Sequence, residues 1–442
     1  MRTKRRNKRK NGLFMAAAIM TVIAVAVLAA LLSPKNNQQP TPTPGITSPS
    51  PTQSPTTTPT ETPSGTPSGT PSATPSATPS STPTPTPSGD PVQSGEDRRS
   101  TRKLDVPVKA LYLNNESVRK KLDHYIDLAN KTEINAYVID IKNDTGILMY
   151  DSDLKVVNDA KADTPGFDIR EVTKKLHDNN IIVIARMVTF KDATITKHNP
   201  DLAIKTASGS VFNKNSMWLD ATKKGSWDYI VSIAKEAVQF GFDEIQFDYI
   251  RFPETTLYDY NLASEEMSRS EAIEGFVRYA RESLPSDTIL SADVFGMPLI
   301  ATKDYGQIGQ TLETIGGSLD YICPMIYPSH FANNAKKGSM SNGVGQSING
   351  IKFTHPDLKP YEVVYNTLLV GKGRVDKKEG YNLNMRPYIQ GFTASYLPAG
   401  YWTDYGVAEY QAQIKAVYDA GYDEWIFWNA PNKYVEAAFK PE

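Results

Sequence analysis

Two aspartates, Asp248 and Asp293, sit late in short apolar runs with strand character. These runs are Glu244-Ile245-Gln246-Phe247-Asp248-Tyr249-Ile250-Arg251 and Leu290-Ser291-Ala292-Asp293-Val294. Side chains alternate faces along a strand, so Gln246 and Asp248 share one face and Ser291 and Asp293 share one face of theirs. The apolar residues between them face the other way, towards covering helices. A carboxylate turned inward without a partner is costly. Two of them on neighbouring strands imply paired ionisable groups whose pKa values are pushed apart. Hydrolysis of a glycosidic bond uses such a pair. One carboxyl protonates the leaving oxygen, and the other attacks the anomeric carbon, activates water or stabilises positive charge on the ring.

Other strand ends supply the remaining candidates. Asp140 and Lys142 close a second strand, Arg186 a third, Tyr327 a sixth and Trp428 an eighth. Tyr249, Tyr327 and Trp428 offer aromatic faces for sugar stacking. Arg186, Arg251 and Lys142 would hold the carboxylates ionised or bind acidic groups, and Gln246 and Asp140 would hydrogen-bond substrate. Plainer readings stand beside these. Asp248 would serve as a structural ion pair with Arg186 or Lys142, and Trp428 as core packing. Asp220 reads as the cap of the following helix, His330 as a loop residue, and Cys323 as a small buried hydrophobe.

The elements that must position these residues alternate along the chain. Eight strands are expected at Val106–Leu113, Ala136–Lys142, Ile181–Met187, Glu244–Ile250, Thr288–Val294, Tyr321–Tyr327, Pro387–Phe392 and Glu424–Asn429. Helical spacing appears between them. Ser117–Lys131 is one stretch, and another starts at a cap on Asp168 with Glu171 as capping-box partner. Ser226–Phe240 closes at Gly241, and Ser264–Leu284, Tyr361–Val370 and Val407–Ala420 follow. Strand–helix alternation of this length predicts an α/β fold, a (β/α)8 TIM barrel, whose chemistry lies at the C-terminal strand ends. An open doubly wound sheet would usually carry a Gly-rich turn after the first strand, where this chain has Leu113-Asn114-Asn115.

The N-terminal part reads differently. Residues 1–12 are strongly basic, and Leu13–Leu32 is apolar apart from Thr21. About 20 such residues span a hydrocarbon core of about 30 Å. The basic flank places the N-terminus in the cytoplasm and the rest outside. A cleaved signal peptide is the rival, but its apolar region is usually shorter and ends at a small-x-small site. Residues 33–103 are rich in Thr, Pro and Ser, with little to bury, and are expected to form a disordered stalk. Residues 104–442 are the barrel domain. The expected setting is therefore the cell membrane, single-pass, with the domain extracellular, or secreted if the segment is cleaved.

Composition excludes several classes. The 48 Lys and Arg against 49 Asp and Glu give a net charge of −1, with the basic end offsetting an acidic barrel. No basic stripe suited to nucleic acid is seen in the barrel region. One cysteine excludes an internal disulfide and any multi-cysteine metal site. The five histidines contain no His-x-His, so no metal site is expected, and no cofactor.

The segment Phe242-Asp243-Glu244-Ile245-Gln246-Phe247-Asp248-Tyr249-Ile250-Arg251-Phe252-Pro253 resembles the strand-four signature of the DUF4015 family of glycosyl-hydrolase-like domains. It is also similar to the neighbouring family GHL10, where an aspartate takes the matching place. Asp140-Ile141-Lys142, Asp293-Val294-Phe295-Gly296 and Pro324-Met325-Ile326-Tyr327-Pro328 fit the same family, and the resemblance spans Leu104–Phe439. It implies a TIM barrel acting on a polysaccharide. In such a barrel Asp248 is expected as nucleophile or charge stabiliser and Asp293 as general acid/base, with Asp140 as the substitute for the acid. Two better-known patterns are departed from. The alpha-amylase-like barrels keep an arginine where Gln246 stands and a glutamate where Asp293 stands. The chitinase-like Asp-x-Asp-x-Glu is replaced by Gln246, Asp248 and Ile250. A non-catalytic carbohydrate-binding barrel is the alternative function.

Overall fold

The computed structural model describes residue 104 and residues 106–441, apart from 215, 255–260, 263–266, 332–345, 380 and 382. The basic tail, the apolar span at 13–32 and the Thr/Pro/Ser-rich segment lie outside the described residues. Among the described residues no helix is long and apolar enough to cross a membrane.

Eight parallel strands close into a barrel: β1 (Lys109–Leu113), β2 (Ala136–Lys142), β3 (Ile182–Val188), β4 (Glu244–Asp248), β5 (Ile289–Phe295), β6 (Tyr321–Ile326), β7 (Asn384–Met385 with Tyr388–Gln390) and β8 (Trp425–Trp428). The ring is completed where β1 pairs with β8 and β7 pairs with both β6 and β8. The strands fall within a few residues of the positions expected from alternation. The exception is β7, which is broken at Arg386-Pro387. Proline has no N–H to donate to the ladder, and Arg386 turns wholly inward.

Outward residues are apolar and meet the helices. Ile245 and Phe247 of β4 and Leu290, Ala292 and Val294 of β5 belong to the outer core. The longer helices are α1 (Asn115–Ala129), α2 (Ile169–His177), α3 (Lys224–Gln239), α4 (Arg269–Ser283), α5 (Pro360–Val375) and α6 (Val407–Asp419). Asn114 caps α1 by accepting from Ser117 N at 2.9 Å, so the helix starts two residues before the expected Ser117. Ser268 and Glu271 form a reciprocal capping box on α4 and fix its start at Arg269 rather than Ser264. Asp168 does cap α2, but its carboxylate accepts from Arg170 N. Asp220 does not cap α3. It accepts from Thr222 N and Oγ1 in the turn ahead, and Lys223 is the cap residue without a side-chain bond.

The connection after β5 lacks a full helix. It holds two single turns, Met297–Ile300 and Leu312–Ile315. The sector is covered instead by α5, whose Arg374 donates to Pro298 O and Ala301 O and grips Glu313 with two further N–H groups. An antiparallel hairpin, Gln346–Ile348 with Ile351–Phe353, precedes α5.

Inward residues stack in layers, as expected of a filled barrel. At the floor, Arg386 donates to Glu244 at 2.8 and 2.9 Å and to Glu424 at 2.8 Å, while its guanidinium lies 4.0 Å over the Tyr321 ring. The Ser291 hydroxyl donates to Glu244 at 2.5 Å. Above it, Gln246 accepts from the Tyr388 hydroxyl at 2.6 Å and donates to Cys323 Sγ at 3.4 Å, among Val138, Ile184 and Ile426. The top layer carries the candidate chemistry.

Candidate active site

Each residue of the top layer arrives from a different strand end. Asp140 ends the inward face of β2, Arg186 that of β3, Asp248 that of β4 and Asp293 that of β5. Adjacent registers place Asp140 beside Arg186, with Arg186 in turn beside Gln246. The guanidinium of Arg186 is the hub. Nη1 donates to Asp140 Oδ1 and Nη2 to Asp248 Oδ2, while Nε lies 3.8 Å from Asp293 Oδ2. Three carboxyl groups thus surround one cation.

That imbalance sets the proton affinities. Burial pushes the Asp293 carboxyl well above the usual range, and the neighbouring Asp248 adds to the push against the opposing pull of Arg186. Burial likewise raises Asp140, although Arg186 and Tyr112 favour its charged form. Burial works against the charge of Arg186, but Asp140 and Asp248 more than offset it, so the guanidinium stays protonated. Interacting groups this close titrate as a unit. Asp293 is 1% exposed, and its Oδ1 is buried without a hydrogen-bond partner among the described residues. Asp248 Oδ1 accepts from the backbone N–H of Tyr249 at 2.6 Å, which fixes its rotation.

Aromatic residues form the wall opposite. Tyr327 stacks on Trp428 with ring centroids 5.8 Å apart and planes at 27°. Phe392 meets Trp428 edge-on at 5.5 Å, and Tyr112 lies 6.2 Å from Trp428 on the other side. His330 stands edge-on to Tyr327 at 5.0 Å, and burial pushes its pKa down to about 4. It is therefore neutral near pH 7 and placed to pack.

Six of the sequence candidates share this layer: Asp140, Arg186, Asp248, Asp293, Tyr327 and Trp428. Tyr249 and Arg251 are next to it, not in it. The backbone turns left-handed at Tyr249 (φ 48°), which ends the strand alternation and swings its ring onto Trp218 at 6.0 Å. Arg251 lies about 5 Å over the rings of Trp218, Tyr249 and Phe295. Gln246 sits one layer below and is bonded within the barrel. Lys142 is not in the mouth. A bulge between Asp140 and Lys142 breaks the β2 register, and the ammonium is fully buried against Asp192 at 2.9 Å and Val188 O at 2.7 Å.

Sequence reading missed Tyr112, Phe392 and the floor residue Arg386. Tyr112 ends the inward face of β1 by the same positional rule that selected Asp140, so its signal was present. Arg386 had none, because nothing in a Met-Arg-Pro step marks a buried guanidinium. Among the described residues no cluster of His, Cys, Asp and Glu is arranged to hold a metal ion.

A family model described as "Putative glycosyl hydrolase domain", DUF4015, matches residues 110–434. No curated protein matches the chain. Among solved structures, a hypothetical protein from Ruminiclostridium thermocellum ATCC 27405 is 46% identical, covering 42% of this chain and 97% of that one, with a TM-score of 0.40. The PgaB (BpsB) glycoside hydrolase domain from Bordetella bronchiseptica is 10% identical, covering 76% of this chain and 99% of that one, with a TM-score of 0.53. At that identity the second likeness speaks for the fold alone.

Proposed function

The chain belongs to the DUF4015 glycosyl hydrolase family, and from that premise we propose that it cleaves O-glycosidic bonds of an extracellular or cell-wall polysaccharide through Asp248 and Asp293. The observation that carries this reading is the shared Arg186. It ties Asp248 into an ion pair while leaving Asp293 in surroundings that favour its protonated form. Two carboxyl groups on adjacent strands, one in an ion pair and one in surroundings that favour its proton, are what the reaction needs.

In this mechanism Asp293 gives its proton to the glycosidic oxygen as the bond to the anomeric carbon breaks. Asp248 then either bonds to that carbon, forming a glycosyl ester, or takes a proton from an attacking water. In the first case the ester is hydrolysed by water that Asp293, now a carboxylate, deprotonates. Arg186 orders Asp248 and faces Asp293 through its inner nitrogen. Tyr327, Trp428 and Phe392 form the face on which a sugar ring stacks. Tyr249 and Arg251 flank the opposite side, where Arg251 would meet acidic substituents.

The test is turnover by the full-length protein on a panel of polysaccharides that includes purified wall glycans, with products followed by mass and anomeric configuration by NMR. Asp248→Asn and Asp293→Asn run beside it. Loss of a positioned acid or base costs roughly 10²–10⁴-fold in rate, so each folded variant is expected to fall at least about 100-fold. A wild type that binds a glycan without cleaving it, with both variants binding equally well, would establish the carbohydrate-binding alternative.

A further inference from the structure

The hydrogen-bond string at the barrel mouth continues past Asp140. The Tyr112 hydroxyl donates to Asp140 Oδ2 at 2.5 Å, and Asp140 Oδ1 accepts from Arg186. Both oxygens of Asp140 are therefore engaged by the protein's own donors. The Tyr112 ring also lies 5.5 Å from the Arg186 guanidinium, closing a compact triangle. Arg186 is thereby divided. One terminal nitrogen goes to Asp140, the other to Asp248, and the inner nitrogen faces Asp293 at 3.8 Å, beyond direct hydrogen bonding.

A guanidinium prefers a two-pronged bond to one carboxylate, which is its strongest arrangement. Here Asp140 prevents that arrangement at Asp248 and keeps Arg186 from swinging onto Asp293. We infer that Asp140 is a positioning residue, pinned by Tyr112, that holds one arm of Arg186 away from the proposed catalytic pair so that Asp293 remains the acid. Its effect on turnover rests on the hydrolase reading above, whereas its effect on the charge arrangement rests on the geometry alone.

The groups facing Asp293 define what must be weighed. They are Asp248 and Glu244 from β4, Arg186 from β3, Asp140 from β2, Cys323 and Tyr327 from the β6 end, and Tyr388 from β7. Among these neighbours Arg186 favours the carboxylate of Asp293, whereas Asp248, Glu244 and Asp140 oppose it. Replacing Asp140 by a neutral isostere removes one opposing charge and frees Arg186. Both changes favour ionisation of Asp293. Replacing Tyr112 by phenylalanine removes a donor to the Asp140 carboxylate, so Asp140 keeps a proton over a wider range. That change acts in the same direction, more weakly.

The experiment compares full-length wild type, Asp140→Asn and Tyr112→Phe by two readouts. The first is carboxyl-carbon NMR titration, with the Asp293 signal identified by its loss in Asp293→Asn. The second is the pH profile of hydrolysis. In Asp140→Asn the Asp293 titration is expected about one pH unit lower, the usual scale for gaining an arginine neighbour. The basic limb of kcat/KM should move by the same amount, with kcat falling and KM little changed. Tyr112→Phe should shift both the same way by less. An Asp293 titration unmoved in both folded variants would overturn the inference. So would a raised KM on an unmoved profile, which would make Asp140 a sugar contact. If wild type cleaves no glycan, the hydrolase reading fails while the NMR titration still decides this inference.

Discussion

Buried charge is handled in different ways at single residues of this barrel. Lys142 and Asp192 are fully enclosed and satisfied, with Asp192 also capping a short helix through Ile195 N at 2.8 Å. Breaking one side of such a pair strands the other charge and typically costs about 3–5 kcal/mol. Lys142→Met should therefore lose stability on that scale in urea unfolding, yet keep wild-type turnover per folded molecule. Asp293 is different, because the folded state keeps its proton more tightly than the unfolded chain does. Its contribution to stability is present below the unfolded value of about 3.9 and is lost as pH rises towards the raised folded value. Asp293→Asn should flatten the decline of stability with pH across that window, measured by urea unfolding at stepped pH. The carboxylates and Arg186 were legible in the sequence because strand alternation and the strand-end rule depend only on order along the chain. Lys142 was not read correctly, because a one-residue bulge reverses the face and leaves no mark in the residue pattern. Tyr249, also a candidate, lies beside the mouth for a related reason, since the left-handed turn after Asp248 ends the alternation.

At the scale of elements, the strands were readable from their apolar runs, and most helix positions from periodicity and caps. The broken β7 and the missing helix after β5 were not, because both depend on what packs against them from elsewhere. The β7–β8 contact shows how tightly such packing holds the site. Gly391 donates its N–H to Trp428 O at 3.0 Å and accepts from the Tyr410 hydroxyl at 2.7 Å. A Cβ there would stand 2.9 Å from Trp428 O and 3.1 Å from the Tyr410 oxygen. Backbone on one side cannot yield cheaply, so Gly391→Ala should push β8 outward and shift Trp428. The expected result is a lower Tm and a higher KM with a smaller change in kcat, read by thermal unfolding and steady-state kinetics. The reverse pattern, kcat lost at constant KM, would mean that Trp428 does not hold substrate.

For the whole molecule, the ionic floor of Arg386, Glu244 and Glu424 fills one end of the barrel, so substrate approaches from the strand ends that carry the candidate site. The proposed placement of that opening is outside the cell, with residues 13–32 as a single-pass anchor in the bilayer and residues 33–103 as a spacer. Full-length protein should then sediment with membranes, and deletion of residues 13–32 should release it without changing turnover on a soluble glycan. Recovery of a shortened, soluble form from untreated cells would instead favour cleavage of that segment. The packing of α5 on the connection after β5 also bears on how the chain is made. Leu299 and Glu313 are held by Gly371 and Arg374, and Tyr381 donates to Leu312 O at 2.7 Å while accepting from Gly316 N at 2.7 Å. The connection that follows the fifth strand is therefore not packed until some 80 residues further on have left the ribosome, and the ring itself waits for β8 to meet β1. A nascent chain halted between β6 and α5 would carry six of the eight strands as an unclosed, sticky sheet, an interval at which a chaperone would help.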